Sequence, residues 1–315
     1  MKTQLITIFM CFALSVYGQD FDKHSVVERL ADIMYNNYVY PEKGAAMKDL
    51  LMSNLNKGIY SELTDPKALC RALEADLRSV MNDKHLRVAY DPTRVEAIRN
   101  RDPYGGRKPL ENHGFEEVKV LEGNIGYLDL RGFTDIRFAE EVALPAMAKL
   151  IEADAIIFDL RKNGGGSPSM IRFICSYLFS EATHLNTFYW RPSNTFTETW
   201  SDPGMVSKTR PNVPIYILTS SYTFSAAEEF AYDLKHLKRA TVIGEVTGGG
   251  AHPGGPMVIT GGFYVNVPQG RAINPVTKTN WEGTGVKPHI EVPADEALQR
   301  AIDLARKAIS LEVNK

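Results

Sequence analysis

Cysteine is scarce in this chain, with three residues in 315, at positions 11, 70 and 175. So few exclude a disulfide framework and a cysteine-built metal centre. Cys70 and Cys175 lie in apolar helical contexts (Ala68-Leu69-Cys70 and Phe173-Ile174-Cys175), where buried free thiols are the commoner outcome. A single bond between them stays open if the chain reaches an oxidising compartment. A dominant charge is also lacking. The 36 Lys and Arg nearly balance 38 Asp and Glu, leaving a formal net charge of −2. That balance points to neither nucleic acid nor an anionic membrane surface as partner. Beyond the first twenty residues no apolar run approaches the roughly 20 residues a membrane helix needs. Internal repeats and low-complexity tracts are missing as well.

What is present begins with a processing signal. Met1-Lys2 is a short basic start, and residues 5–16 are apolar except for Thr7 and Ser15. Val16-Tyr17-Gly18 then places small residues just before Gln19. This pattern predicts a secretory signal peptide cleaved near Gly18/Gln19, and hence a secreted or periplasmic protein. Cys11 ends no small-residue lipobox, so a lipid anchor is not expected.

Residues 19–90 read as a helical N-terminal module. Ser25-Val26-Val27-Glu28 has the form of a capping box, and Val26, Leu30, Ile33 and Met34 follow at helical spacing. Asp65-Pro66 is a second helix start, leading to a stripe of Leu69, Leu73, Leu77 and Val80. Residues 91–123 read as a linker, polar and rich in Pro and Gly. At roughly thirty residues it is too short for a PDZ domain. From there the period changes. Short apolar runs at 124–130, 155–159, 214–219 and 240–244 alternate with helical patterns at 137–152, 169–179 and 225–237. Such alternation predicts an α/β core with a mainly parallel sheet and crossover helices over residues 124–315. A hairpin is expected around Gly261-Gly262, and a last amphipathic helix over 295–309. Residues 183–211, with five aromatics, form a long insertion that either shapes a binding site or covers the sheet.

Four segments carry chemistry. Phe158-Asp159-Leu160-Arg161-Lys162-Asn163-Gly164-Gly165-Gly166 runs from a strand into a glycine turn whose N–H groups can face an anion, as an oxyanion hole requires. It lacks the Gly-Lys-Ser/Thr ending of a phosphate loop. Ser225 opens a helix after a strand and a polar turn, a position where N–H groups and the dipole favour developing negative charge. Ser225-Ala226-Ala227-Glu228 is equally a capping box. His85 stands in Asn82-Asp83-Lys84-His85-Leu86, between a helix and a strand. Glu282 stands in Asn280-Trp281-Glu282-Gly283-Thr284-Gly285-Val286-Lys287-Pro288, a Gly-rich loop. Taken singly, each of the last two reads as solvated surface.

The Asp159-Leu160-Arg161 turn with its glycines, the Ser225-Ala226-Ala227-Glu228 helix start, the Gly244-Glu245-Val246-Thr247 strand end and the Gly285-Val286-Lys287-Pro288 tail come in an order that resembles peptidase family S41, the C-terminal processing or tail-specific peptidases. The core resemblance spans about residues 125–308. The N-terminal helices resemble the branch of the interphotoreceptor retinoid-binding protein and tricorn. The resemblance implies a crotonase/ClpP-like core, no metal or organic cofactor, and peptide or protein substrates. It implies Ser225 as nucleophile, His85 as base, Glu282 as the acid behind it, and the N–H groups of Ala226 and Gly165 as oxyanion donors. In the processing branch a lysine about 25 residues after the serine is the base; Gly250 matches that position. Two departures stand out: Lys84 precedes the histidine where Ser or Gly is usual, and Pro288-His289 replaces Pro-Asp. His252, in Gly248-Gly249-Gly250-Ala251-His252-Pro253, competes as base or as a residue lining the cleft. The same fold also carries retinoids and fatty acids, so a non-catalytic lipophile binder is the alternative. It predicts a large apolar pocket and a Ser225 out of reach of His85.

Overall fold

The computed structural model describes residues 21–102 and 108–313. The predicted signal peptide, with Cys11, Gly18 and Gln19, lies outside them.

The N-terminal module is three helices, α1 (Lys23–Asn37), α2 (Pro41–Asn56) and α3 (Pro66–Val80). Helix α1 starts two residues before the expected Ser25. Asp22 is its cap and accepts the Ser25 N–H at 3.2 Å, so a carboxylate has displaced the hydroxyl. Asp65 caps α3 as anticipated, accepting from Lys67 and Ala68 at 3.1 Å with Pro66 at the first helical position. These helices do not close a core by themselves. Strand β1 (Arg87–Tyr90) follows, then α4 (Pro92–Arg99) within the stretch expected to be linker.

That stretch ends in β2 (Phe115–Leu121), which pairs antiparallel with β3 (Ile125–Leu130) at the edge of the main sheet. Next come α5 (Ile136–Leu150), β4 (Ala155–Asp159) and α6 (Pro168–Ser176), then the hairpin β5 (His184–Trp190) and β6 (Thr195–Trp200). Strand β7 (Ile215–Thr219), α7 (Ala226–His236) and β8 (Thr241–Gly244) complete the alternating part. The expected hairpin is β9 (Gly254–Val258) with β10 (Phe263–Pro268), followed by β11 (Gly270–Ile273), β12 (Ile290–Glu291) and α8 (Ala297–Val313).

The main sheet has six strands in the order β12-β8-β7-β4-β3-β2, all parallel except β2. Strands β4 and β7 are buried at every residue, as a sheet covered on both faces requires. One face packs on α5, α6 and α7 through Leu128, Phe158, Ile217 and Phe230; the other packs on α8 through Ile157, Leu218 and Ala301. A third cluster joins Val27, Leu30, Leu73 and Leu77 of the N-terminal helices to Phe263, Val265 and Val267 of β10. Strand β1 pairs with β10 across some 170 residues of chain, from Arg87↔Asn266 to Tyr90↔Phe263. The N-terminal helices therefore complete their core with strands from the far end of the sequence. The insertion 183–211 is no loose flap. Its hairpin pairs with β11, and Leu185 and Phe188 enter the main core.

The buried face of α7 holds two carboxyl groups one turn apart, Glu229 and Asp233. Burial pushes Glu229 up to about 8, and burial together with Glu229 pushes Asp233 well above the carboxylate range. The unfolded chain loses these protons near pH 4, whereas the folded chain keeps them. Stability is thus full at acid pH and is lost as pH rises from about 4 through about 8. The melting temperature should fall steadily between pH 5 and 9 in calorimetry. Glu229→Gln, which cannot ionise, should flatten that decline.

Candidate active site

The parallel sheet delivers two loops to one place. Strands β4 and β7 are neighbours, with Asp159 opposite Leu218, and the chain leaves both at their carboxyl ends. Clefts for ligands form at that end of such sheets. From β4 the chain enters the glycine turn. Asp159 grips Arg161 through its N–H (3.1 Å) and its guanidinium Nε (2.9 Å), and Arg161 reaches Ala294 O at 2.6 Å. Asn163 donates to Leu130 O at 2.8 Å, and its Oδ1 accepts the Gly165 N–H at 2.8 Å. From β7 the chain passes through residues 220–224, where Thr223 Oγ1 donates to Leu160 O (2.8 Å) and Phe224 N–H to Asn163 O (3.1 Å). The two loops are thereby laced together. Gly165 lies so close that a Cβ there would stand 2.8 Å from Ser225 Cβ and 3.0 Å from Ala226 N. With φ at +108°, only glycine suits the position.

Ser225 is held at φ 56° and ψ −122°, an unfavourable backbone for a residue with a side chain. Its N–H donates to Glu228 Oε2 at 2.9 Å, the return arm of the capping box. Glu228 is fully buried and accepts three further bonds: Thr247 Oγ1 (2.5 Å), Gly249 N–H (2.6 Å) and Gly250 N–H (2.8 Å). Burial raises its carboxyl, and these donors pull it back. The hydroxyl of Ser225 meets His85 Nε2 at 3.0 Å. Ala226 N–H lies in the first turn of α7, where helical N–H groups have no partner within the helix.

His85 arrives from the loop after α3. Its own N–H donates to Asp83 Oδ1 (2.9 Å), its carbonyl accepts from Asn266 of β10 (2.8 Å), and its ring packs on Phe224 with centroids 4.6 Å apart. Burial lowers its pKa to about 4, against the pull of Asp83 and with a small push from His252. Its Nδ1 is buried without a hydrogen-bond partner, and Asp83 Oδ1 is 3.9 Å away.

Glu282 does not hydrogen-bond His85. Its Oε2 accepts the Ala251 N–H at 2.6 Å and lies 3.5 Å from His252 Nδ1; its Oε1 is buried and unpartnered. Burial, then Asp83, raise Glu282 to about 7. His252 is fully buried, with Nδ1 at 2.7 Å from Asp83 Oδ2 and Nε2 at 3.4 Å from Tyr40 Oη. Both its nitrogens are engaged away from Ser225, so the ring on the serine is His85. Gly165 N–H is bonded to Asn163, so it is not free in this arrangement to receive an oxyanion. Asp83, which also accepts from Tyr38 Oη at 3.1 Å, and Glu228 help hold the site without having been read in the sequence as site residues. The Asn82-Asp83-Lys84-His85 turn and the Ser225/Glu228 spacing were their only signals.

Asp83, His85 and Glu282 offer donor atoms within 4.8 Å of one another. Donors around four-coordinate zinc stand about 3.4 Å apart. Asp83 Oδ1 and His85 Nδ1 are 3.9 Å apart, wider than that, and the three residues already serve Ser225, His252 and Ala251.

The profile of "Peptidase family S41" matches residues 124–292, more than half of the chain. The chain belongs to peptidase family S41. Residues 14–113 match the "N-terminal domain of Peptidase_S41 in eukaryotic IRBP". Among solved structures, the S41 chain is similar to a candidate peptidase from Parabacteroides merdae, at 22% identity and TM-score 0.64, over 91% of this chain and 97% of that one. It is similar to the photosystem II D1 C-terminal processing protease at 15% identity and TM-score 0.57, covering 89% and 97%. A lipoprotein from Streptococcus agalactiae gives 16% identity and TM-score 0.64, covering 93% and 99%. At these identities the likeness is one of fold.

Gly250 supplies a test of the S41 site. A Cβ there would stand 2.2 Å from the Phe224 ring and 2.8 Å from His85 Cε1. Gly250→Ala must push one of these aside, and a displacement near 1 Å can cost about 100-fold in rate. Serine reactivity should drop by about that factor with little change in melting temperature, read by the rate of labelling with an active-site probe.

Proposed function

We propose that this S41 protein is a secreted serine peptidase that uses Ser225 as nucleophile and His85 as general base. The observation that carries the reading is the 3.0 Å contact between Ser225 Oγ and His85 Nε2. It joins a strained serine at a helix start to a histidine 140 positions away in sequence. His85 takes the Ser225 proton as Oγ attacks the substrate carbonyl, then gives it to the leaving amine. Ala226 N–H and the glycine turn face the forming oxyanion. Gly165 N–H serves only once it leaves Asn163 Oδ1. Glu282 is the acid of the site, acting on His85 through other groups rather than by a hydrogen bond to it. Substrates are peptides or proteins, as the family implies. Export rests on the leader at residues 1–18, and no helix among the described residues is long and apolar enough to cross a membrane.

The lipophile-carrier alternative fits less well. It places Ser225 beyond reach of His85, against the 3.0 Å contact. The groove of about 690 Å³ beside α3 and β1 mixes Lys67, Arg71, Glu74, Arg78 and Arg87 with Cys70, Ala75, Val88, Ala89 and Tyr90, so it is not the large apolar pocket that the carrier reading predicts.

A fluorophosphonate probe tests the reading. Purified wild type should be labelled, and Ser225→Ala and His85→Ala should not. Labelling that survives His85→Ala would hand the base role to another group. An unlabelled but folded wild type would return the carrier to the front.

The pH profile follows from the burial of His85. A base must be unprotonated, and a pKa lowered to about 4 keeps it so at any higher pH. The labelling rate should stay level from pH 8 down to about 5.5 and fall below that. A midpoint near the ordinary histidine value of about 6.5 would contradict this.

A further inference from the structure

Two carboxylates and a second histidine lie behind His85, and only one carboxylate can be the partner of its Nδ1. We propose that Asp83 is the positioning residue of His85, and that Glu282 acts further out, through His252 and Asp83. The inference rests on Ser225 and His85 forming the reactive pair, and it assigns the residue that orients that pair.

The chain of contacts has a definite order. Ser225 Oγ meets His85 Nε2 at 3.0 Å; His85 Nδ1 faces Asp83 Oδ1 at 3.9 Å; Asp83 Oδ2 meets His252 Nδ1 at 2.7 Å; and His252 Nδ1 stands 3.5 Å from Glu282 Oε2. Each carboxylate is held by different parts of the fold. Asp83 Oδ1 accepts the His85 N–H at 2.9 Å, which fixes it relative to the ring two residues on. Asp83 Oδ2 accepts from Tyr38 Oη at 3.1 Å as well as facing His252. Glu282 is tied to Ala251 N–H at 2.6 Å; a carboxyl oxygen of it comes within 4.8 Å of a His85 ring nitrogen but makes no hydrogen bond there. The residue directly before His85 supplies no hydroxyl relay, because Lys84 reaches away to Gly248 O at 2.6 Å.

A small ring movement completes the pair. Nδ1 and Asp83 Oδ1 need to close by about 1 Å to hydrogen-bond, and apo catalytic contacts are commonly that loose. Asp83 is fully buried, and the Nδ1 facing it is buried and unpartnered. An Nδ1–H on Asp83 leaves the lone pair of Nε2 on the Ser225 hydroxyl, the tautomer a general base requires. An amide at position 83 can donate to Nδ1 and so stabilise the opposite tautomer. Loss of this kind costs about 10⁴ in serine proteases of unrelated fold. Glu282 lies two residues further along the chain of contacts, beyond His252, and its replacement should cost less.

Fluorophosphonate labelling separates the two carboxylates. At pH 7, Asp83→Asn should slow labelling by at least about 100-fold, and Glu282→Gln by less than about 10-fold, with both melting near wild type. The Asp83→Asn rate should climb with pH, as hydroxide replaces the mis-set base; a loosened fold would not show this recovery. The titratable groups around His85 in that profile are Asp83 and Lys84 on its own loop, Tyr38 and Tyr40 after α1, Glu228 of α7, His252 and Glu282. Should Asp83→Asn fail to fold, nitrogen NMR of histidine-labelled wild type reads the tautomer directly, with His85 assigned by its loss in His85→Ala. The neutral ring should carry its proton on Nδ1. A proton on Nε2, or equal or greater loss in Glu282→Gln, overturns the assignment of Asp83. Wild type that labels while Asp83→Asn labels equally well removes this proposal and leaves the Ser225 reading intact. Absence of labelling in wild type removes both.

Discussion

One buried carboxylate organises the site. Glu228 accepts from Ser225 N–H, Thr247 Oγ1, Gly249 N–H and Gly250 N–H, so its two oxygens bind the start of α7 to the loop that follows β8. Removing it would strand several donors together, each costing about 1–3 kcal/mol when buried and unpaired. The consequence is geometric. With Ser225 fixed on one side and Gly250 on the other, the space between them is set, and His85 fills it against Phe224. Thr247 adds a further tie, donating to Glu228 while accepting from Val286 N–H at 2.7 Å, so the loop that carries Glu282 hangs on the same carboxylate.

The electrostatics follow from burial rather than from net charge. A histidine withdrawn from water loses its proton more readily, and a carboxyl withdrawn from water keeps its own. His85 and Glu282 move in these opposite directions, to about 4 and about 7. The same burial therefore favours the unprotonated ring of His85 and the protonated carboxyl of Glu282. His252 lies against both carboxylates, at 2.7 and 3.5 Å.

Much of this was legible in the sequence, and the reason is periodicity. The runs at 155–159 and 214–219 are continuous apolar strands because both faces of the sheet are covered, and the sharp polar turns after them mark where the chain leaves it. Those turns hold the glycines and Ser225. Contacts between distant segments carried no such signal. Asp83 and His252 are 169 positions apart and β1 lies against β10, and neither pairing leaves a period in the chain. Asp22 caps α1 in place of Ser25, a choice between two neighbouring cap residues that local pattern does not settle. The segment 91–123 read as a linker because short polar stretches hide α4 and the edge strand β2, whose outer face is solvated.

Gly250 marks where this chain departs from the processing-branch pattern of its family. In the processing branch the matching residue is a lysine that serves as base. Here a Cβ at that position would already collide with Phe224 and stand 2.8 Å from His85 Cε1, so a side chain from position 250 points into the volume the imidazole occupies. The two solutions exclude one another sterically. A base reaches Ser225 either from the loop after β8 or from the turn after α3. The second route requires the N-terminal helices to be locked to the core, which the β1–β10 pairing and the bond from Asn266 to His85 O achieve. A glycine at 250 and a helical N-terminal module anchored on β10 are therefore two parts of one constraint.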